Sequence, residues 1–314
     1  MLLTTKEIFR KSYGKYGIPA VNVFFMEEVH GLFAAAEKAN APFIVQTTPF
    51  ARDYAHPKML LAMIEAAARI YPKVVYAVHV DHGVEDHIYD AIDSGGYTSV
   101  MIDASHDDFD TNVARTKAVV ERAHAKGISV EAELGVLAGI EDDLIVEAGK
   151  SSYTNPYDVE RFVNATDCDC LAIAVGTSHG AYKFKGKQGI QFHILEEIQR
   201  RLPEFPLVLH GGSSVNPDEI RRINNAGGAL KDDAQGVSMA EIQKAITLGV
   251  CKINIATDTR LLWTRVVREF FRDTPDQFAP TTPGKVVMEE YIKFMLNKFD
   301  DFGTTGKGVD FGIR

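Results

Sequence analysis

The feature that most restricts how this 314-residue chain can fold is a repeated alternation of short apolar runs with longer amphipathic segments. Eight runs carry strand character: PAVNVF, PFIVQ, VVYAVHV, SVMID, SVEAEL, CLAIAV, PLVLH and CKINIA. Between them lie segments of helical periodicity such as HPKMLLAMIEAAARIY, DTNVARTKAVVERAHAKG and NPDEIRRINNAGG, with Pro, Asn or Asp near their starts and Gly near several ends. Strand followed by helix, eight times over with short links, predicts an α/β fold of the closed (β/α)8 TIM-barrel kind, one domain spanning residues 1–314. A doubly wound open sheet uses the same units. No Gly-rich dinucleotide fingerprint follows the first run, which weakens that rival. From about residue 273 the pattern changes to a Pro-containing connector, DTPDQFAPTTPGK, and then a helix, VVMEEYIKFMLNKF. The closing GTTGKGVDFGIR reads as a flexible or partner-packed tail.

Composition removes several function classes. A net charge of -9 leaves no excess of Lys and Arg for general nucleic-acid binding, although a local basic pocket for a phosphorylated ligand is compatible with it. The start, MLLTTKEIFRKSYGK, lacks a signal-peptide core, and no apolar run is long enough for a membrane span. Cys168, Cys170 and Cys251 cannot all pair, so buried thiols in a reducing cytoplasm are expected.

In a parallel barrel the working face is the carboxyl end of the strands. Those ends here offer Asn22, Gln46 to Thr48, Asp81 and His82, Asp103, Glu131 and Glu133, His179, His210 and Asn254. Such convergence of polar groups marks an active site. His82, His179 and His210, after the third, sixth and seventh runs, match three imidazole ligands of a Zn²⁺ ion with an open fourth position. Taken singly, each is better explained as a hydrogen-bonded histidine; their equivalent places favour the metal. His79 reads as a barrel-interior residue and His106 as a loop residue. Asp81 precedes a proposed ligand, so alternation along a strand should send the two side chains apart. Asp81 would then face substrate and pass a proton; the alternative is a carboxylate that orients a ligand histidine.

The stretch EAELGVLAGIEDD continues the fifth run into a Gly-rich acidic loop. Glu133 and Asp103 could hold a second cation or form ion pairs at the mouth. Glu141, between glycines 135 and 139 and the acidic DD, could act as an acid/base on a mobile lid or be a solvated loop residue. The stretches VGTSHGAYK, LHGGSSV and NIATDTR follow the last three runs and carry the small residues and exposed N–H groups that cradle phosphate.

Taken with their order, HVDHG, SVMIDAS, EAELG…GIEDD, VGTSHGAYK, LHGGSS and CKINIATDTR strongly resemble the class II, zinc-dependent ketose-bisphosphate aldolases, from about Pro19 to Arg260. The resemblance implies aldol cleavage and condensation of fructose 1,6-bisphosphate with dihydroxyacetone phosphate and glyceraldehyde 3-phosphate. It makes His82, His179 and His210 zinc ligands, Asp81 and Glu141 the acid/base pair, and Asp103 and Glu133 a second or alternative divalent-metal site. It assigns Asn22, Thr48, Gly180, Lys183, Gly211, Gly212, Ser213, Asn254, Thr257 and Arg260 to substrate. It also implies a monovalent cation (Na⁺ or K⁺) near the glycines after the sixth and seventh runs, and a homodimer or homotetramer acting on phosphorylated ketoses and triose phosphates, with no nucleic-acid or membrane partner. Three departures bear on substrate choice. The second-run segment reads QTTPFARDYA instead of carrying a Ser and a Gly-Ala turn, and Ala256 stands where some fructose-specific members have Asp. The tail FAPTTPGK lacks an arginine, leaving Arg52, Arg260 and Lys285 as substitutes for reading a distal phosphate. A tagatose-bisphosphate or other ketose-1-phosphate aldolase is therefore the nearest alternative. A zinc hydrolase would begin with His-x-His on the first strand, which AVNVFF lacks. A noncatalytic sugar-phosphate binder would have lost Asp81 or a histidine, and this chain retains them.

Overall fold

All eight expected runs form neighbouring parallel strands of one closed barrel. A computed structural model describes residues 1–137, 152–178, 189–231 and 236–313, and the backbone alone of 139–141 and 144–146. The strands are β1 (Ile18–Asn22), β2 (Phe43–Thr47), β3 (Tyr76–Gly83), β4 (Ser99–Ile102), β5 (Ser129–Leu134), the hairpin pair β6 (Gly139–Glu141) and β7 (Leu144–Val146), β8 (Cys170–Ile173), β9 (Leu207–Leu209) and β10 (Val250–Ile255). The barrel runs β1-β2-β3-β4-β5-β8-β9-β10, and β10 closes onto β1 with Ile18 opposite Lys252 and Ala20 opposite Asn254. The antiparallel β6–β7 hairpin stands outside it. The helices are α1 (Thr5–Ser12), α2 (Met26–Ala39), α3 (Pro49–Ala55), α4 (Pro57–Ile70), α5 (Glu85–Ser94), α6 (Phe109–His124), α7 (Pro156–Thr166), α8 (Phe192–Arg201), α9 (Pro217–Asn225), α10 (Met239–Thr247), α11 (Thr257–Asp273) and α12 (Thr281–Asp301).

The period of two along each strand separates two environments. Outward residues such as Val21, Val45, Val78, Val100, Val130, Leu171 and Leu209 join the core between strands and helices. Inward residues change character along the barrel axis. At its amino-terminal end Ile18, Ala20, Ile44, Ala77, Cys170 and Val208 pack with Ile8 and Phe9 of α1, which closes the floor. Towards the carboxyl end the buried inward residues are polar: Asn22, Gln46, His79, Asp81, Glu131, Glu133, Lys252 and Asn254. An apolar floor beneath a polar mouth confines the chemistry to one end.

The C-terminal extension departs from its expected form in two respects. Its helix begins at Thr281, inside the expected connector, with Pro283 in the first turn, where the missing N–H costs nothing. Its buried face, Val287, Tyr291, Met295 and Phe299, joins the main core against α2. The expected flexible or partner-packed tail instead packs on the chain's own floor. Gly306 and Gly308 donate backbone N–H groups to the carbonyls of Ala39 (2.8 Å) and Asn40 (2.7 Å), and the Tyr16 hydroxyl donates to Asp310 (2.9 Å). A Cβ on Gly308 would lie 1.9 Å from Asn40 Oδ1 and 3.1 Å from its carbonyl oxygen. Gly308→Ala is therefore expected to destabilise the protein by ~1–3 kcal/mol, read from the urea midpoint. An unchanged midpoint would show that the Asn40 side chain yields without cost and that this close approach does not stabilise the tail.

Candidate active site

The centre of the site is built where β3 breaks its own alternation. Val80 pairs with Val100 but Gly83 with Ile102, so β3 carries one residue more than β4 over that interval. That is a β-bulge at a barrel rim, a device that re-aims side chains. His82 sits in it with φ +47°, a left-handed conformation uncommon for a side chain of its size. Divergence of Asp81 and His82, expected from strict alternation, is thereby undone. The His82 Nδ1 lies 3.1 Å from Asp103 Oδ2, and its ring meets that of His210 edge-to-face with centroids 4.5 Å apart. Donor atoms of Asp81, His82 and His210 all lie within 4.8 Å of one another.

Asp81 is fully buried and held from three sides. Asn22 Nδ2 donates to its Oδ2 (3.2 Å) and Asn254 Nδ2 to its Oδ1 (3.1 Å), while Gln46 Nε2 donates to Asn22 Oδ1 (2.6 Å) and fixes that amide's orientation. The third contact comes from below. Lys252 Nζ lies 3.5 Å from Asp81 Oδ1 and donates to Glu131 Oε2 at 2.7 Å. Glu131 Oε1 in turn is 3.0 Å from His210 Nε2. Asp103 and Glu131 thus each orient one histidine, so that a metal would be taken through Nε2 of His82 and Nδ1 of His210, the latter 3.7 Å from Glu133 Oε2.

The charges follow from these contacts. Burial pushes the Glu131 carboxyl up, but the Lys252 ammonium and the His210 hydrogen bond outweigh it and hold it below the usual carboxylate range. Burial likewise opposes ionisation of Asp103, and the bonds to His82 and Ser105 overcome it. Burial, with Lys252 alongside, pushes His79 down to about 3, so it is neutral. His79 Nδ1 is bonded to Ser99 Oγ (2.8 Å) inside the barrel, the interior place expected for it. Lys252 is raised despite its burial, because Glu131 and Asp81 favour the ammonium.

A second group capable of holding a cation is His82, Asp103 and Glu133, sharing His82 with the first. His79, Asp81 and Glu131 also lie close together, but Lys252 fills the position between the two carboxylates. His179, Gly180 and Lys183 lie outside the described residues, as does the side chain of Glu141, whose backbone closes β6. The remaining expected positions converge. Gly211, at φ +63°, lets the loop after β9 approach the one after β8: a Cβ there would lie 2.3 Å from the Ser178 carbonyl oxygen. Ser213 Oγ accepts from the N–H groups of Ala256 (3.4 Å) and Asp258 (3.5 Å), tying that loop to the start of α11, which opens with Thr257. The Arg260 guanidinium lies over the Phe24 ring, 5.2 Å from its centroid. Thr48 has a structural duty that its sequence context also signals, capping α3 by accepting from the Ala51 N–H ahead of Pro49. Arg52 is buried, paired with Asp90 of α5 and stacked over Tyr97. That commitment removes it from the residues suited to a distal phosphate.

The match to known proteins decides the family. Residues 3–307 fit the model of "Fructose-bisphosphate aldolase class-II". The chain belongs to the class II fructose-bisphosphate aldolase family. It is 42% identical over 311 residues to a fructose-bisphosphate aldolase of Thermus caldophilus, covering 96% of this chain and 99% of the relative. It is 41% identical to one of Giardia intestinalis, covering 95% and 92%. Among solved structures, the YdjI aldolase of Escherichia coli K12 superposes with a TM-score of 0.78 at 28% identity, covering 98% of this chain and 100% of that one. Class II aldolases are metal-dependent, and the donor groups described above fit a divalent ion in chemistry and proximity.

Lys252 escaped the sequence reading. Its signal was a lysine two residues before Asn254 in an otherwise apolar strand, at the parity that points inward. Removing its charge strands Glu131 in the barrel without a counter-ion. Lys252→Met is expected to lower stability by ~3–5 kcal/mol, and Lys252→Met with Glu131→Gln to recover part of that loss, both by urea denaturation. Equal midpoints for the wild type and Lys252→Met would contradict the buried-pair account.

Proposed function

We propose that the protein catalyses reversible, zinc-dependent cleavage of fructose 1,6-bisphosphate to dihydroxyacetone phosphate and glyceraldehyde 3-phosphate. The observation that carries the reading is the β3 bulge, which brings a buried carboxylate and an imidazole into one mouth with His210. His82, His179 and His210 would hold the metal. When bound, Zn²⁺ supplies a Lewis acid for the negative charge that develops beside the ketone as the carbon–carbon bond breaks.

The chain's own groups supply the rest. Asp81 takes the proton from the carbon-four hydroxyl as the aldehyde leaves and returns it in condensation. Asn22 and Asn254 each occupy one of its oxygens, fixing the carboxylate plane while leaving lone pairs for that hydroxyl. Glu141 exchanges the proton at the carbon that becomes carbanionic. Gly211, Gly212, Ser213, Asn254 and Thr257, with Gly180 and Lys183, receive the phosphate and keto end, aided by the N-terminus of the 17-residue α11. Asp103 and Glu133 would hold a second divalent ion beside His82, and the glycines after β8 and β9 would accommodate a monovalent cation.

The reading carries a homodimer or homotetramer with it. Tyr54, Trp263, Phe271 and Phe278 are exposed, and the first three border a cleft of about 560 Å³ beside Arg260. The buried, unpaired thiols of Cys168, Cys170 and Cys251 support a cytoplasmic setting. Arg260, which borders that cleft, and Lys285 are the candidate readers of a distal phosphate, and a tagatose-bisphosphate or ketose-1-phosphate substrate is the alternative.

Two measurements test this reading. Chelation to metal-free protein is expected to abolish cleavage of fructose 1,6-bisphosphate, and added zinc to restore it; full activity in metal-free protein would refute it. Asp81→Ala is expected to retain bound metal and lose about 10²–10⁴-fold in kcat, whereas His82→Ala loses metal and rate together. Equal metal loss in both variants would make Asp81 a supporting group and not the acid/base.

A further inference from the structure

Two buried charges bind the loop after β9 to the C-terminal helix without reaching the reacting atoms. We propose that Asp258 and Lys298 are positioning residues that hold this loop in its phosphate-receiving shape, making substrate affinity depend on α12. The proposal rests on reading Gly211–Ser213 as part of the phosphate site.

The loop has an unfavourable backbone to hold. Val215, β-branched, adopts φ +44°, where a side chain of that shape is rarely found. Asp258 secures the turn: its Oδ2 accepts from the Ser214 N–H (2.9 Å) and Ser214 Oγ (3.0 Å), and its Oδ1 accepts from the Val215 N–H (2.7 Å). Lys298 arrives from the last turn of α12. Its Nζ donates to Ser214 Oγ at 2.8 Å and lies 3.5 Å from Asp258 Oδ2. The Ser214 hydroxyl therefore accepts from the ammonium and donates to the carboxylate, a closed arrangement of three buried or half-buried groups.

The opposite side of the loop is also set. A Cβ on Gly236 would lie 2.0 Å from the Ser214 carbonyl oxygen, so the returning chain lies directly on the loop, and the Val237 N–H reaches the Ser213 carbonyl at 3.4 Å. Ser213, one residue before this clamp, is bonded to the first turn of α11. Its position, and with it the N–H groups of the glycines before it, depends on what holds Ser214 and Val215. Lys298 is 6% exposed and its charge is used on this loop, although it comes from the extension that follows the barrel.

The test compares Lys298→Met, Lys298→Arg and Ser213→Ala in the metal-loaded enzyme, reading kcat, KM for fructose 1,6-bisphosphate and competitive inhibition by inorganic phosphate. Lys298→Met is expected to raise KM and the phosphate inhibition constant together, by about tenfold, with kcat within about twofold of wild type, because the loop then occupies its phosphate-receiving shape only about a tenth of the time. Lys298→Arg is expected to restore much of the affinity. A Lys298→Met enzyme of lower thermal stability but unchanged phosphate inhibition would overturn the proposal and leave Lys298 as an anchor for α12. If Ser213→Ala also leaves phosphate inhibition unchanged, the phosphate reading of the loop fails; if Ser213→Ala weakens inhibition and Lys298→Met does not, only the positioning role fails. Should Lys298→Met not fold, Ser214→Ala removes the shared hydroxyl and is read in the same way.

Discussion

A lysine ammonium with no access to water lies between two carboxylates inside the barrel, and the arrangement of the mouth depends on it. Lys252 bonds to Glu131 and lies 3.5 Å from Asp81. Glu131 could not remain ionised at that depth without a counter-charge and hydrogen bonds, since desolvation of a buried ion is expensive. Through Glu131 the ammonium also reaches His210, and through Asp81 it reaches Asn22 and Asn254. One charge thus connects His210, just after β9, to the carboxylate on β3 and the amides on β1 and β10. A parallel barrel makes such a connection possible because inward residues of non-adjacent strands meet across its axis.

The bulge at the end of β3 gives two adjacent residues different partners. In an unbroken strand, Asp81 and His82 would face opposite sides, and only one would reach the mouth. The extra residue and the left-handed backbone of His82 bring both to it. Their partners then differ. His82 is oriented by Asp103, itself held by Ser105, whereas Asp81 is held by neutral amides and the ammonium. An imidazole backed by a carboxylate suits a metal, and a carboxylate held by amide donors has a fixed direction, which is what the proposed roles require. The same strand end thus supplies both groups with separate supports.

Much of this was legible in the sequence because it follows from period and position. The eight runs fixed strand count and order, and reading only their carboxyl ends selected Asn22, Asp81, His82, Asp103, Glu133, His210 and Asn254, which the barrel brings together. What escaped was whatever depends on a change of register or on contact between distant segments. A bulge adds a residue without altering the hydrophobic pattern, so the pattern placed Asp81 and His82 on opposite faces. Lys252 lies inside an apolar strand, and its partners stand on other strands far away in sequence. The tail, rich in Gly and polar residues, resembles a mobile terminus; its backbone bonds to Ala39 and Asn40 require knowing where α2 ends. Arg52 could be assigned to phosphate only while its partner, Asp90, was unknown.

The central claim is that Asp81 and His82, though adjacent and both turned to the mouth, serve different ends. An anomalous-scattering map of the zinc-loaded protein at the zinc edge tests it directly. The account predicts zinc about 2.0–2.1 Å from His82 Nε2 and His210 Nδ1, with the Asp81 carboxylate still bonded to Asn22 and Asn254. Zinc coordinated by Asp81, with those two amide contacts broken, would contradict it.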